Sequence, residues 1–324
     1  MIFVTNFNSF PPTWKAGNGD TGKTIYAADA QAFLAHRKEP DTIFLINGNP
    51  RLVLALSAAM LWGARRPLIS ADIVLRAPEK LSEKLQHPMK RMLLGRVDHF
   101  IHYFRDLRGM QDAYGIGPSR RSFVPFKVNL VSRHALQPQF DGEYALCFGR
   151  SMRDFDTFFA AMEKVSYPGA ITRPNFEMLA AHHGRFTRSL KDIPANIRIL
   201  EDNGTEDAEI QILQNARLLV LPILKKSLVA SGISTCLNAM FLGKCVIGSE
   251  GPGMSDVFGS EVLTFPPEDP EALAAVICRA WEDEALSRAT AEAGRQYALK
   301  VGAEEELYQR IIDDVAQWSR QSRS

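Results

Sequence analysis

Short apolar runs alternate with amphipathic helical stretches along this chain, and the alternation runs through two rounds. In the first, residues 2–7, 42–46, 67–74, 98–103 and 123–126 read as strands. Residues 24–36, 52–63 and 81–94 read as helices, and 17–22 as a polar glycine-rich loop. After a stretch with little periodicity, 127–142, the pattern restarts. Residues 144–148, 170–172, 197–200, 218–223, 245–248 and 262–265 read as strands; 155–165, 176–183, 207–216, 234–241, 270–283, 287–301 and 304–318 read as helices. Apolar strands separated by helices form parallel sheets covered on both faces. The expectation is therefore an α/β protein of two Rossmann-like domains, residues 1–137 and 138–303, with a last helix, 304–324, crossing back to the first. Open parallel sheets bind ligands at the C-terminal ends of their strands, so a cleft between the two domains is the expected site.

Composition narrows the function. The chain has 324 residues, 46% of them hydrophobic, and 38 Lys+Arg against 37 Asp+Glu give a net charge of +1. Near-neutrality argues against a nucleic-acid partner. The total hides a split, however: residues 1–137 carry +9 and residues 138–324 carry −8. All four cysteines lie in the second half, without C-x-x-C spacing, and read as reduced thiols of a cytoplasmic protein. The N-terminus lacks the basic and apolar regions of a signal peptide. The longest apolar stretch, residues 52–63, is too short to span a bilayer, so membrane contact is expected to be peripheral.

Two motif matches mislead. Gly17-Asn-Gly-Asp-Thr-Gly-Lys-Thr24 fits the phosphate-loop pattern, but two prolines precede it where a buried strand should deliver the chain. Gly17, Gly19 and Gly22 are expected instead in a loop near the cleft. Asp154-Phe-Asp156 fits a metal–diphosphate signature, yet it falls at a helix start, where acids cap and complement the dipole. No metal is expected.

A distributed set carries more. Cys147-Phe-Gly-Arg-Ser-Met-Arg153 puts Arg150 and Arg153 at the C-terminal end of a strand, and arginine's planar fork suits a diphosphate. The strand at 218–223 leads through Lys225 and Lys226 to Ser231, Gly232, Ser234 and Thr235 at a helix start, where free N–H groups favour an anion. Glu250-Gly-Pro-Gly-Met-Ser-Asp256 follows the next strand.

Taken together, residues 149–281 resemble the C-terminal half of GT-B glycosyltransferases of the group 1 or family 4 type. Gly149-Arg150 with Arg153-Asp154, Asn238-Ala-Met-Phe-Leu-Gly-Lys244 with Val246-Ile247, and Phe265-Pro-Pro-Glu-Asp-Pro-Glu-Ala-Leu273 carry the match. The resemblance implies transfer of a sugar from a nucleotide donor, UDP- or GDP-linked, without a metal or other cofactor. It implies that Arg150, Arg153, Ser234 and Thr235 hold the diphosphate, that Glu201 lies beside the base, and that Asp72 faces the transferred sugar. One departure stands out: the glutamates of E-x7-E should fall at 230 and 238, where this chain has Ala230 and Asn238. Asn238 retains hydrogen bonding toward a ribose, and Lys225, Lys226 and Ser231 are candidate substitutes. A sugar-nucleotide-binding accessory homologue and a phosphate-loop NTPase are the alternative readings.

None of the seven histidines carries a partner pattern that names it catalytic. Lys80, Lys84 and Arg91 recur near helical spacing over 81–94 beside Leu85, Met89 and Met92. That pattern suits either a helix packed on its own domain or a face on an anionic membrane, which would bring a saccharide or lipid-linked acceptor within reach.

Overall fold

The structure, a computed structural model, describes residues 1–130 and 137–323. Part of the expected linker, 131–136, lies outside the described residues. Two compact units are present: Met1–Pro125 together with the C-terminal segment from Glu305, and Phe126–Glu304.

The first unit contains strands β1 (Ile2–Thr5), β2 (Thr13–Lys15), β3 (Thr21–Tyr26), β4 (Thr42–Asn47), β5 (Leu68–Ala71), β6 (His99–His102) and β7 (Arg121–Phe123). Its helices are α1 (Ala30–Ala35), α2 (Pro50–Ala59), α3 (Leu81–Leu94) and α4 (Arg108–Tyr114). The strands form one sheet in the order β2-β3-β1-β4-β5-β6-β7, parallel except for the β2–β3 hairpin. This corrects the reading of residues 24–36 as one helix. Thr21–Tyr26 pairs along β1 as a strand, and the helix is only the six residues of α1, started by Asp29 accepting from Ala32 N. No helix therefore follows Gly17–Thr24, so the phosphate-loop pattern lacks the helix N-terminus its chemistry requires.

The second unit contains β8 (Tyr144–Cys147), α5 (Phe155–Met162), β9 (Gly169–Thr172), α6 (Phe176–Ala181), β10 (Ile197–Leu200), α7 (Glu206–Gln214) and β11 (Ala216–Leu221). It continues through α8 (Ile233–Phe241), β12 (Cys245–Ser249), β13 (Leu263–Phe265), α9 (Pro270–Glu282) and α10 (Glu284–Val301). The six strands run in the order β10-β9-β8-β11-β12-β13, all parallel. In sequence order within the unit this is 3-2-1-4-5-6, the doubly wound arrangement. The strand order reverses between β8 and β11. Apolar clusters cover both faces, one around Leu219, Met240 and Val246, the other around Phe158, Val220 and Ile277. Capping follows the sequence: Asp154, Asn175, Thr205 and Asp269 each accept from a first-turn N–H, and Pro270 follows its cap.

The final helix, α11 (Glu304–Arg323), packs on the first unit. Tyr308 lies 5.5 and 4.8 Å, ring to ring, from Phe7 and Phe10. Asp314 accepts from Ser122 Oγ at 2.6 Å and sits 3.1 Å from His99 Nε2. Asp313 accepts from Gly17 N at 2.7 Å, and Arg320 pairs with Asp20. Asp314→Ala should cost about 1–3 kcal/mol, because a partly buried hydroxyl loses its acceptor. A lower urea midpoint and faster proteolysis within α11 would report it; an unchanged midpoint would remove this contact from the helix's anchorage.

Candidate functional site

The reversal point of the second sheet receives two chain segments, one after β8 and one after β11. Main-chain hydrogen bonds lace them together: Leu224 N donates to Met152 O at 2.9 Å, Asp154 N to Pro222 O at 2.8 Å, and Arg153 bridges Ile223. This stitching turns the Arg153 side chain inward. It is 1% exposed, and its Nε donates to Phe148 O at 2.7 Å. The guanidinium fills space that two missing side chains leave open. A Cβ on Gly149 would come within 2.6 Å of Nη2, and one on Gly232 within 2.9 Å. Both glycines have positive φ, 98° and 85°.

Arg153 is electrostatically incomplete. The neighbouring carboxylate, Asp154, is engaged by Arg185, whose Nε donates to it at 2.8 Å. Among the described residues Arg153 has no carboxylate partner, and its buried Nη1 has no hydrogen-bond partner. Burial pulls its pKa down to about 10, with the thiols of Cys147 and Cys236 acting in the opposite direction. A buried unpaired cation is costly. An anion seated beside it removes that cost.

Gly232, in left-handed conformation, is the N-cap of α8, and no side chain caps that helix. Its first N–H groups and the positive end of its dipole therefore face the same region as Arg153. A buried guanidinium and an uncapped helix start at a sheet's reversal point form an anion-binding arrangement suited to a phosphate or diphosphate.

The remaining sequence candidates divide. Arg150 is exposed in the loop leading to Arg153, and Lys225 and Lys226 are exposed beyond β11. Ser231 is buried, its Oγ 3.0 Å from Ser227 Oγ. Thr235 is half-buried in the first turn of α8. Ser234 and Asn238 are held by a residue that sequence reading missed: Asn129 Nδ2 donates to Ser234 Oγ at 2.5 Å, and Asn129 N donates to Asn238 Oδ1 at 3.0 Å. Asn238 Nδ2 in turn donates to Glu209 Oε1 at 3.0 Å. Asn129 sits in the stretch read as linker, and Glu209 on an ordinary polar helix face; neither gave a local signal. Glu201 is exposed after β10, at the sheet edge, and paired bidentately with Arg173. Ala230 packs against the loop after β12, where a Cβ on Gly253 would lie 2.3 Å from the Ala230 Cβ. Asp154 and Asp156 serve as cap and anchor, Asp156 accepting from Thr187 N at 3.0 Å.

In the first unit, Asp72 follows β5 at the C-terminal edge, with φ 51° and its N–H donating to Ile101 O at 2.9 Å. Desolvation raises its carboxyl to about 7. Gly17, Gly19 and Gly22 are elsewhere. They flank the start of β3, which runs parallel to β1, so they lie at the sheet edge opposite Asp72. This corrects their placement near a ligand-binding edge; the hairpin turn is tied to α11 instead.

Residues 190–297 match the family model of glycosyl transferases group 1. The fold as a whole matches solved structures of low identity. Sucrose-phosphate synthase from Thermosynechococcus elongatus is 16% identical, with 99% of this chain and 88% of that one covered and a TM-score of 0.62. HepE from Anabaena, in complex with UDP and glucose, is 12% identical over 97% and 99%, at 0.60. The trehalose 6-phosphate synthase of Burkholderia multivorans is 12% identical over 97% and 89%, also at 0.60. The chain shares the fold of these glycosyltransferases, and residues 190–297 resemble group 1. No curated protein matches it in sequence. The matched segment runs from before β10 into α10 and so includes α8, while Arg153 lies before it.

Gly232→Ala should cost about 1–2 kcal/mol for a left-handed non-glycine residue and push Arg153 aside. A lower thermal midpoint is the expected result, read by differential scanning fluorimetry; an unchanged midpoint would mean that the left-handed conformation at this position carries no strain.

Proposed function

We propose that this protein is a glycosyltransferase, moving a sugar from a UDP- or GDP-linked donor to a polysaccharide, lipid-linked or other envelope acceptor, without a metal. The observation that supports the reading is the buried, unpaired Arg153 at the uncapped start of α8. A leaving nucleoside diphosphate needs its developing charge met by fixed donors in a place poor in water. Arg153 Nη1 and the first N–H groups of α8 have that character. Arg150, Lys225 and Lys226, exposed on the adjoining loops, add positive charge. The carboxylates of Asp154 and Asp156, which a diphosphate-bridging metal would need, are engaged by Arg185 and by Thr187. HepE, at 12% identity, is described with UDP and glucose, which accords with a UDP-linked donor here.

Acceptor activation falls to Asp72. A carboxyl with a pKa near 7 has the proton affinity to accept a hydroxyl proton as the glycosidic bond forms. Its backbone, at the C-terminal edge of β5, is where ligands of open sheets bind. Peripheral contact with an anionic membrane belongs to the same reading, since a lipid-linked acceptor is presented at one.

Replacing Arg153 by Met separates binding from architecture. Loss of the Nε bond to Phe148 O costs about 1 kcal/mol, which relief of an unpaired buried cation offsets, so the ligand-free thermal midpoint should change little. The UDP-induced shift should vanish, with affinity falling by about 1.5–3 kcal/mol. A collapse of ligand-free stability with UDP affinity intact would make the residue purely structural.

Asp72 gives a pH test. A folded-state pKa above the unfolded value stabilises the protein fully below about pH 4 and loses that contribution as pH rises through about 7. Part of the residue still meets solvent, which holds the effect to about 1–3 kcal/mol. Asp72→Asn should flatten this dependence and abolish transfer, while the wild-type rate should rise through about pH 7 as the base ionises. A rate independent of pH between 5 and 9, at about the wild-type level in the variant, would remove Asp72 from the chemistry.

A further inference from the structure

Helix α3 is built the wrong way round for a helix of a water-soluble unit. Its inward side carries the partly buried polar residues Glu83, His87 and Lys90. Glu83 pairs with Arg76 and accepts from the backbone N–H groups of Glu79 and Lys80, which hold its carboxyl down to about 2. His87 stacks on Tyr114, ring centroids 5.1 Å apart. Only Leu93 and Leu94 are buried apolar residues, both in the last turn. The outward side is apolar: Leu81 and Leu85 are each 75% exposed, Met89 55% and Met92 57%. At helical pitch these four fall within an arc of about 80°. Lys84 and Arg91, both exposed, lie together along one flank of that arc. Such a stripe, left in water, forfeits the burial that ordinarily orients an amphipathic helix.

The geometry points to an anionic lipid surface as the occupant: we infer that α3 lies in the plane of the leaflet, with Leu81, Leu85, Met89 and Met92 in the acyl boundary and Lys84 and Arg91 on phosphate headgroups. Several observations favour lipid over a protein partner. The stripe is narrow, continuous and bordered by cations. The helix has 14 residues, about 21 Å long, enough to lie in an interface and too short to cross the roughly 30 Å core. The enclosing chain segment, residues 1–125, carries 17 Lys+Arg against 10 Asp+Glu, which adds long-range attraction to an anionic leaflet. Trp62, just beyond the neighbouring helix α2, is 81% exposed and supplies a further interfacial side chain.

This inference deepens the membrane part of the proposed function and is independent of the donor chemistry. The test is flotation of the full chain with vesicles of phosphatidylcholine alone and of phosphatidylcholine mixed with phosphatidylglycerol, at low and high salt. Wild type should float with the anionic vesicles, less so at high salt. The double variant Leu85→Gln/Met89→Gln, altered only at exposed positions, should fold normally by circular dichroism. It should lose about tenfold or more in vesicle affinity at either salt. Lys84→Gln/Arg91→Gln should lose affinity mainly at low salt. Wild-type failure to float, or equal binding by the apolar variant, overturns the inference. So does a wild-type dimer, seen by light scattering, that Leu85→Gln/Met89→Gln dissociates, since the face would then belong to a second copy. UDP binding is measured on the same samples: its loss with flotation intact would count against the donor reading alone.

Discussion

The hydrogen bond from Arg153 Nε to the carbonyl of Phe148 fixes the part of the second unit on which the site depends. It holds a guanidinium in the interior at the point where the strand order reverses, although among the described residues no carboxylate pairs with it. Most buried cations are paired because desolvation costs several kcal/mol. Here the adjacent acid, Asp154, pairs outward with Arg185 and caps α5. The two arginines thus have separate roles: Arg185 is structural, and Arg153 keeps unsatisfied donor capacity. Gly149 and Gly232 make this possible, since a Cβ on either would collide with the guanidinium.

The altered E-x7-E positions have different structural consequences. Ala230 packs so closely on the Gly253 backbone that the loop after β12 occupies part of the space around it. Asn238 instead joins a network with Asn129, Ser234 and Glu209. A carboxylate is therefore retained next to position 238, supplied by α7 rather than by α8. Two of the hydroxyl and amide groups that the sequence offers to a ligand are already hydrogen-bonded within the unit, which places more of the anion-binding duty on Arg153 and on the helix start.

The charge split acquires a meaning from α3. A basic amphipathic sequence has two self-consistent placements, with its apolar stripe turned inward or outward. Glu83, anchored by Arg76 and two backbone N–H groups, decides for the second by drawing the polar side of the helix onto the unit. The apolar stripe and its flanking cations are left together on the outside.

Fold class was legible in the sequence because strand and helix periodicities are local. The restart at Tyr144, the caps at Asp154, Thr205 and Asp269, and the strands of the second half could all be read from neighbouring residues. Arg150, Arg153 and the Ser231–Thr235 turn could be read as candidate anion ligands from their places at a strand end and a helix start, but not that Arg153 is buried while Arg150 is exposed. The sequence could not show that Thr21–Tyr26 is a strand, because its pairing with β1 outweighs weak helical propensity, nor that the glycine loop sits at the far edge of the sheet. It gave no sign of Asn129 or Glu209, whose partners lie 105 and 29 residues away. It left the direction of α3 open, since periodicity gives a stripe but not the side on which the rest of the chain lies. Those features depend on contacts between distant segments, and only the tertiary structure fixes which groups are buried, which are paired, and which remain free to meet a ligand.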